Sequence, residues 1–247
     1  VEIYVGDLTN PEAVGAASAG VERIYHLGAL IPIPYSYRHP REYIAANVEG
    51  TLNVLEAARR SGAARVVQIS TSEVYGTAQS VPMSEAHDLH PQSPYAATKV
   101  ASDQLALSFH RSFDVPVVVC RPFNVYGPGQ IGGGAIRAFI ENALAGNDLV
   151  VRGDGSQIRA WCYVDDMVEA VRLCLEHPNA VGQSFNIGNP RSAVTIFDLA
   201  QRVKRLTGCP GEIVFAPLDY VDVELRIPNV TKAREEIGFD AQVELDD

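Results

Sequence analysis

The chain of 247 residues is 47% hydrophobic and 20% charged, and its formal net charge is −10. This composition is enough for one large hydrophobic core or two smaller domains. The negative charge disfavours a nucleic-acid-binding surface, and the sequence contains no apolar run of about eighteen residues that would predict a membrane span. The four cysteines are widely separated and include no C-x-x-C pair, which argues against a zinc site or a disulfide framework and favours a reducing cytoplasm.

In the first half of the chain, short apolar runs alternate with helical patterns, which predicts an α/β fold with a parallel sheet. Strands are predicted at 2–5, 23–27, 65–69 and 115–120, and the second of them is expected to be buried. Helices are predicted after Asn10, over 41–60 and after Ser93, with prolines in the first turns of the first and third. The helix over 41–60 is expected to bury a stripe of Ile44, Val48, Leu52 and Leu55.

The second half of the chain predicts the remaining elements and a division into two parts. Helices are predicted at 135–145, 165–176, 196–207 and 230–237, and strands at 149–151, 184–187 and 212–216. We interpret 1–127 with 164–189 as the core that carries the parallel sheet, and 128–163 with 190–247 as a smaller lobe. The lobe is expected to close over the carboxyl edge of the sheet, where ligands bind in open α/β folds.

Two polar segments are the strongest candidates for a site. Tyr95 and Lys99 are four residues apart on one predicted helix, so their side chains share a face. The Lys99 ammonium is therefore expected beside the Tyr95 hydroxyl, where it favours the phenolate of a residue that otherwise titrates near ~10. The alternative is a surface helix with an ordinary tyrosine and lysine. The second segment, at the end of the strand at 65–69, is Ser70-Thr71-Ser72-Glu73-Val74-Tyr75-Gly76.

With these segments the chain resembles the extended short-chain dehydrogenase/reductase family, in its NAD-dependent nucleotide-sugar epimerase/dehydratase branch. The resemblance covers essentially all residues and is carried by 6–8, 26–29, 47–51, 70–76, 95–99, 121–128, 153–159 and 165–166. It implies a Rossmann-like doubly wound parallel sheet with a smaller C-terminal substrate lobe. It also implies NAD as cofactor, a nucleotide-sugar substrate, and a homodimer paired through the helices at 41–60 and 94–112.

The resemblance implies roles for individual residues and no metal site. The cofactor contacts it implies are Asp7, Leu8, Gly28, Ala29, Asn47, Ser70, Tyr95 and Lys99. The substrate contacts it implies are Ser72, Asn124, Arg159 and Arg226, with the two arginines paired on the diphosphate because a guanidinium matches two phosphate oxygens. For Arg226 a surface salt bridge is an equal alternative, and His26 is interpreted as a core histidine bonded to the backbone. The loop at 130–137 is expected to contact the nucleotide base.

The chain departs from this family's pattern at its front. The family begins with a strand and a glycine-rich turn whose amides hold the cofactor pyrophosphate, followed by a second strand that reads the ribose. The sequence starts where the third strand is expected, and Gly15 and Gly20 lie in the wrong context for that turn. We therefore expect an N-terminally truncated stretch of a longer protein that, as written, binds cofactor poorly. The residue that distinguishes NAD from NADP falls in the absent part.

The resemblance implies a first chemical step and leaves the later steps open. Tyr95 takes the proton of the sugar C4 hydroxyl, Thr71 orients that hydroxyl, and hydride passes to the nicotinamide. Glu73 is then placed to remove the C5 proton, so that the C6 hydroxyl leaves as water in a 4,6-dehydration. The alternatives for the function are a decarboxylase, a 4-epimerase or a non-catalytic relative. The alternative for Glu73 is an acidic side chain in a solvated loop.

Overall fold

The computed structural model describes residues 2–218 and 223–246 as a mixed α/β structure. The strands are β1 (Arg23–His26), β2 (Arg65–Ile69), β3 (Val117–Pro122), β4 (Val125–Tyr126), β5 (Leu149–Arg152), β6 (Ile158–Ala160), β7 (Cys162–Tyr163), β8 (Ser184–Ile187), β9 (Ala193–Thr195), β10 (Ile213–Ala216) and β11 (Leu225–Arg226). The α-helices are α1 (Pro11–Ala17), α2 (Ile33–Arg38), α3 (Pro40–Tyr43), α4 (Gly50–Ser61), α5 (Pro94–Phe113), α6 (Ala135–Leu144), α7 (Val164–Glu176), α8 (Ile196–Thr207) and α9 (Thr231–Ile237). A π-helix at Ile44–Glu49 joins α3 to α4, and 3₁₀ turns lie at Ser72–Tyr75, Pro178–Ala180 and Pro190–Ser192.

The main sheet is parallel and has the strand order β1-β2-β3-β8. Side chains alternate across β3, so that Val117 and Val119 join a core with α4 and α5. Val118 and Cys120 join the core on the opposite face, with α7 and α9. Burial on both faces explains the nearly continuous apolar sequence of β3. The predicted doubly wound parallel α/β fold is confirmed.

Two predictions about the front of the chain are wrong. Residues 2–5 form no strand, and Val5 is 99% exposed. The run at 23–27 forms β1 but is not a buried strand, because Tyr25 is 43% exposed and Leu27 is exposed as well. The physical reason is position: within 2–218 and 223–246, β1 pairs only with β2 and therefore forms an edge of the sheet.

The segment predicted as one regular helix over 41–60 contains a π-helical turn. This turn shifts the buried face, so that Ile44 is half exposed whereas Tyr43 and Asn47 are buried. The predicted apolar stripe is therefore wrong at Ile44 and right at Leu55, which is fully buried in α4. A π-turn adds a residue to one helical turn, and periodicity of 3.6 residues does not anticipate it.

The other predicted elements follow in the predicted order, and only β3 among them is shifted, by two residues at each end. Strands β2 and β8 and helices α6, α7, α8 and α9 lie within one residue of the predicted bounds. Strand β3 begins at Val117 and not at Val115. Asp114 ends α5 in a left-handed conformation, and the Val115 amide still bonds to the carbonyl of Phe109, so these residues complete the helix end.

A second apolar cluster lies away from the main sheet, between α6, α8, β5 and β9. Three small sheets accompany it: β5 with β10, β4 with β7, and β6 between β9 and β11. The parallel pairing of β6 with β11 places Arg159 directly opposite Arg226. The described residues contain no helix long and apolar enough to cross a membrane, and no group of three or more metal-ligating side chains.

Candidate active site

The polar segment after β2 forms a tight turn at the carboxyl edge of the main sheet. Thr71 is extended, and its side chain accepts a hydrogen bond from the Glu73 amide at 3.1 Å, which caps the 3₁₀ turn Ser72–Tyr75. Gly76 ends the turn with a φ of 66°, and a Cβ there would lie 2.2 Å from the carbonyl oxygen of His90. The turn thus depends on glycine, and it holds Thr71, Ser72 and Glu73 in a fixed arrangement.

Helix α5 brings Tyr95 against this turn. Ser93 caps the helix by accepting from the Ala96 amide, and Pro94 occupies its first turn, as predicted. Tyr95 is 7% exposed, and burial raises the pKa of its hydroxyl to about 12. A hydrogen bond with the Thr71 side chain works against that rise, whereas the negative charge of Glu73 adds to it. Tyr95, Thr71 and Glu73 therefore form one interacting group.

Lys99 is buried one turn further along α5, but its hydrogen bond differs from the predicted one. Its ammonium donates to the carbonyl oxygen of Ile69, the last residue of β2, at 2.6 Å. Burial lowers the pKa of Lys99, and the carboxylate of Asp103 counteracts this effect. The predicted contact between the Lys99 ammonium and the Tyr95 hydroxyl is not among the hydrogen bonds of the described residues. A buried ammonium needs an acceptor, and the free carbonyl at the strand end supplies it.

Arg226 reaches the same turn from β11. It is 5% exposed, forms an ion pair with Glu73 and lies 3.3 Å from the Ser72 hydroxyl. The alternative of a surface salt bridge is right that Arg226 forms an ion pair, but wrong about its position, because the pair is buried. The Glu73 side chain is 15% exposed, so the alternative of a solvated loop acid is wrong as well. The Arg226 Nε is buried and has no hydrogen-bond partner among the described residues.

A buried polar network behind Tyr95 and Lys99 was missed by sequence reasoning. Asp103 is fully buried and accepts from Arg121 Nε at 2.9 Å, and Arg121 also donates to the Tyr75 hydroxyl. That hydroxyl donates in turn to Asn186 of β8 at 2.7 Å. The available signal was the position of Asp103, four residues after Lys99 and therefore on the same helix face.

Three of the residues predicted to hold the cofactor line a cleft of about 470 Å³ between the loop after β1 and the π-helix. Asp7 and Leu8 line it with Ala29 and Leu30. Gly28 lies against Leu8, and a Cβ there would lie 2.5 Å from the end of the Leu8 side chain, which would have to shift. These small and apolar groups fit the flat adenine end of a dinucleotide. The described residues contribute no glycine-rich turn for its pyrophosphate.

Other predicted residues lie at separate places around the site. Asn47 is buried, and its amide is used within the protein, by the backbone of Leu30 and the side chain of Thr98. Ser70 is buried at the end of β2, and its hydroxyl has no described partner. Asn124 has a φ of 21°, and its buried side-chain oxygen has no partner among the described residues, which leaves an acceptor free for a ligand.

A second cleft of about 460 Å³ includes part of the loop predicted to contact a base. Its lining residues are Tyr126, Gly127, Pro128, Gly129, Gln130, Ile136, Arg137, Ile140, Glu141 and Tyr163. Arg137 already donates to the carbonyl oxygen of Gln130 and to Glu141. Polar groups of this loop are thus ordered before any ligand is present.

Comparison with known proteins agrees with this arrangement. The family described as "NAD dependent epimerase/dehydratase family" matches residues 1–188. The chain belongs to this family. UDP-glucuronic acid decarboxylase 5 of Arabidopsis thaliana is 36% identical over 252 residues, which cover 99% of this chain and 71% of the relative.

Two solved structures with high similarity represent further reactions of the family. A UDP-glucose 4-epimerase from Thermotoga maritima, solved with UDP-glucose, has a TM-score of 0.93 and 31% identity, covering 98% of this chain and 79% of that chain. A dTDP-glucose 4,6-dehydratase from Streptomyces venezuelae, with NAD and TYD bound, has a TM-score of 0.90 and 30% identity. The match covers 97% of this chain and 74% of that chain. The similar proteins thus include a decarboxylase, an epimerase and a dehydratase.

Proposed function

We propose that the chain uses NAD to convert a nucleotide-activated sugar through transient oxidation at C4, and that the reaction is a 4,6-dehydration. The observation that carries the proposal is the packing of the turn at Ser72–Tyr75 against α5, which brings Thr71 and the acid–base side chain of Glu73 to the buried Tyr95. Oxidation at C4 needs one base, whereas removal of the adjacent C5 proton needs another. Glu73 supplies that second base.

NAD fits the residues around the first cleft. Asp7, Leu8, Gly28 and Ala29 would hold its adenine end, and the remaining contacts would come from Asn47, Ser70, Tyr95 and Lys99. The chemistry that NAD supplies when bound is the reversible acceptance of hydride from the sugar. A relative with NAD bound, the dehydratase of Streptomyces venezuelae, supports this assignment.

The chain's own side chains would divide the work as follows. Thr71 orients the C4 hydroxyl, and Tyr95 receives its proton. Because burial raises the pKa of Tyr95 to about 12, the free protein holds the phenol protonated at neutral pH. The positive charge of Arg226 lowers the pKa of Tyr95, and Lys99, one turn along α5, would add to this effect if its ammonium turned from Ile69 toward the phenolate. Glu73 would then remove the C5 proton and pass it to the C6 hydroxyl, which leaves as water, and the hydride taken from C4 would return to C6. Arg226 with Arg159 and Asn124 would bind the diphosphate.

One observation favours decarboxylation as a second candidate. Arg226 contacts both Ser72 and Glu73, and a guanidinium in that place would equally suit a sugar carboxylate at C6. The 36% identical decarboxylase of Arabidopsis thaliana acts on UDP-glucuronic acid by its name. In this reaction the C4 ketone would promote loss of the C6 carboxylate as carbon dioxide, and no C5 base would be needed.

The test begins with a fluorescence titration of the protein with NADH and NADPH. The protein is then incubated with NAD and a panel of UDP-, GDP- and dTDP-hexoses and UDP-hexuronic acids. The masses of the products are measured by mass spectrometry. Loss of water from a hexose supports dehydration, and loss of carbon dioxide from a hexuronic acid supports decarboxylation. An isomer of unchanged mass supports 4-epimerisation. The absence of any product at NAD concentrations at which the titration shows the cofactor to be bound contradicts the proposal.

Replacement of Tyr95 tests the chemistry most directly. In protein that turns over substrate, Tyr95→Phe is expected to lower kcat by at least about 100-fold, since it removes the acid–base hydroxyl. The nucleotide-sugar affinity, measured by calorimetry, is expected to change little. Tyr37→Phe, on the exposed side of α2, is the matched control and should leave kcat unchanged. Retained turnover in Tyr95→Phe would show that another residue is the base.

We also propose the domain division, the homodimer and the cytoplasmic location given in the sequence analysis. The apolar cluster between α6, α8, β5 and β9 supports a substrate lobe at 128–163 with 190–247, separate from a core at 1–127 with 164–189. Helix α9 belongs to the lobe by sequence but packs into the core of the main sheet. The half-exposed Phe113 on α5 supports pairing of α4 and α5 in a homodimer. The four cysteines are free and buried, which supports a cytoplasmic location.

A further inference from the structure

Tyr43, which the sequence analysis did not single out, connects two parts of the candidate site. It is the last residue of α3, and its side chain has no exposed surface. Its hydroxyl donates to the carbonyl oxygen of Pro32 at 2.6 Å. Its ring meets the ring of Tyr95 edge to face, with centroids 6.3 Å apart and planes at 80°. This geometry lies within the attractive range for aromatic pairs.

Asn47, four residues later in the π-helix, makes the same kind of double connection. Its side chain accepts from the Leu30 amide at 2.8 Å and donates to the Leu30 carbonyl at 3.0 Å. It also donates to the Thr98 hydroxyl of α5, which donates to the Tyr95 carbonyl. Tyr43 and Asn47 thus each bind the loop after β1 and each contact α5 at Tyr95 or one turn later.

The loop held in this way forms a wall of the first cleft. Leu30 and Ala29 line the cleft from the loop, and Glu42 and Ala46 line it from the segment that carries Tyr43. A displacement of Tyr43 would therefore change the cleft and the support of the Tyr95 ring together. The fully buried position leaves Tyr43 no contact with solvent, so its effect on ligands must pass through these neighbours.

We propose that Tyr43 is a positioning residue whose hydroxyl holds the cofactor-side loop and whose ring holds the orientation of Tyr95. This inference rests on the proposed function of Tyr95 as the acid–base residue. The two contacts use different atoms, so the two effects are separable by substitution. Tyr43→Phe removes only the bond to Pro32, whereas Tyr43→Leu also removes the edge-to-face contact with Tyr95.

The first test needs no cofactor and no turnover. Hydrogen exchange of the Leu30 amide, measured by NMR, is expected to be about fivefold faster in both variants, because a loop hydrogen bond is lost. The ring-flip rate of Tyr95, followed with ring-labelled tyrosine and assigned with Tyr95→Phe, is expected to rise about two- to tenfold in Tyr43→Leu only. Leu199→Ala, in the separate cluster on α8, is the control for general loss of stability.

Unchanged Leu30 exchange and Tyr95 ring flipping in both variants would overturn the proposal, as would equal changes in Leu199→Ala. Unfolding of Tyr43→Leu would leave Tyr43→Phe as the deciding variant, through Leu30 exchange. In protein that turns over, Tyr43→Phe is expected to raise the KM for NAD with kcat retained, and Tyr43→Leu to lower kcat as well. If the substrate panel gives no product, the proposed function fails while the exchange and ring-flip results still decide the role of Tyr43.

Discussion

His26 shows how burial sets the chemistry of a single residue. Its Nε2 lies 3.0 Å from the Thr51 hydroxyl, and that hydroxyl donates to the Asn47 carbonyl, so the histidine is the donor in its own bond. Burial, helped by the positive charge of Lys99, lowers the pKa of His26 to about 4. The interpretation as a core histidine agrees with this burial, but the partner is a side chain and not the backbone.

We predict that His26 makes the protein less stable in mild acid. The pKa of His26 is about 4 in the folded protein and near ~6.5 in the unfolded chain, so the unfolded chain binds more protons between these values. The free energy of unfolding should therefore fall as the pH is lowered from about 6.5 to about 4, by up to ~3 kcal/mol from this residue. Urea unfolding across this pH range should show a flatter profile for His26→Gln. His90→Gln, an exposed control, should keep the wild-type slope, and an equal slope in all three proteins would contradict the prediction.

Arg226 and Glu73 form the other residue-scale feature with a measurable consequence. We expect Arg226→Met and Glu73→Gln each to destabilise the protein by about 3 kcal/mol, because each leaves its partner as an uncompensated buried charge. The double variant should lose less than the sum of the two. The exposed pair Arg172 and Glu169 serves as the control cycle, with a coupling of roughly 0.2–1 kcal/mol. Additive losses for Arg226 and Glu73 in urea unfolding would argue against a stabilising buried ion pair.

At the scale of elements, the turn after β2 and the π-helix determine where the site residues point. Both are departures from regular structure, and each has a local cause. The turn needs glycine at position 76, where the chain is left-handed and passes close to His90. The π-helix presents Asn47 to the loop after β1 and to α5, on the same side as Tyr43 at the end of α3. The catalytic geometry thus depends on two irregular segments supported by regular ones.

Two glycines with positive φ, Gly62 and Gly76, differ in how strongly the fold requires them. Gly62→Ala should cost about 1 kcal/mol, since φ is 68° and nothing lies within 4 Å of the added Cβ. Gly76→Ala combines a φ of 66° with a ψ of −150°, a region open essentially to glycine alone, and places its Cβ 2.2 Å from the His90 carbonyl oxygen, so it should cost at least about 1 kcal/mol more. Chemical denaturation of both variants measures the difference. Equal costs would mean that the backbone at position 76 and the His90 segment both relax freely.

At the scale of the whole molecule, the two end strands of the main sheet, β8 and β1, differ in their surroundings. Strand β8 pairs with β3, and α7 and α9 pack on that end of the sheet. Within the described residues β1 has no second neighbour, and Tyr25 and Leu27 are exposed there. An open strand edge with apolar side chains is a template for pairing with another chain.

We expect this edge to cause self-association of the 247-residue polypeptide. Tyr25→Lys should reduce association at high protein concentration, measured by light scattering, because a charge on an edge strand opposes pairing with another strand. Tyr37→Lys changes a similarly exposed tyrosine on a helix and should have no such effect. Equal association in the wild type and both variants would place the contact elsewhere.

The sequence alone determined the features that depend on near neighbours in the chain. The pattern of β2, the N-cap at Ser93 and the starts of α1 and α5 are local, and the structure places them as predicted. The motif around Tyr95 and the segment at 70–76 indicated the family, because spacing on a helix and at a strand end fixes which side chains share a region. These parts of the fold and site need no knowledge of distant residues.

Only the tertiary structure decided which distant partner each polar side chain takes. Arg226 lies on Glu73 because β11 pairs beside β6, and the bond of Lys99 goes to Ile69 because β2 ends next to α5. The same holds for Asp103 with Arg121 and for the exposed edge position of β1. The physical reason is that burial and hydrogen bonding between remote segments depend on their arrangement in space, which no local pattern encodes.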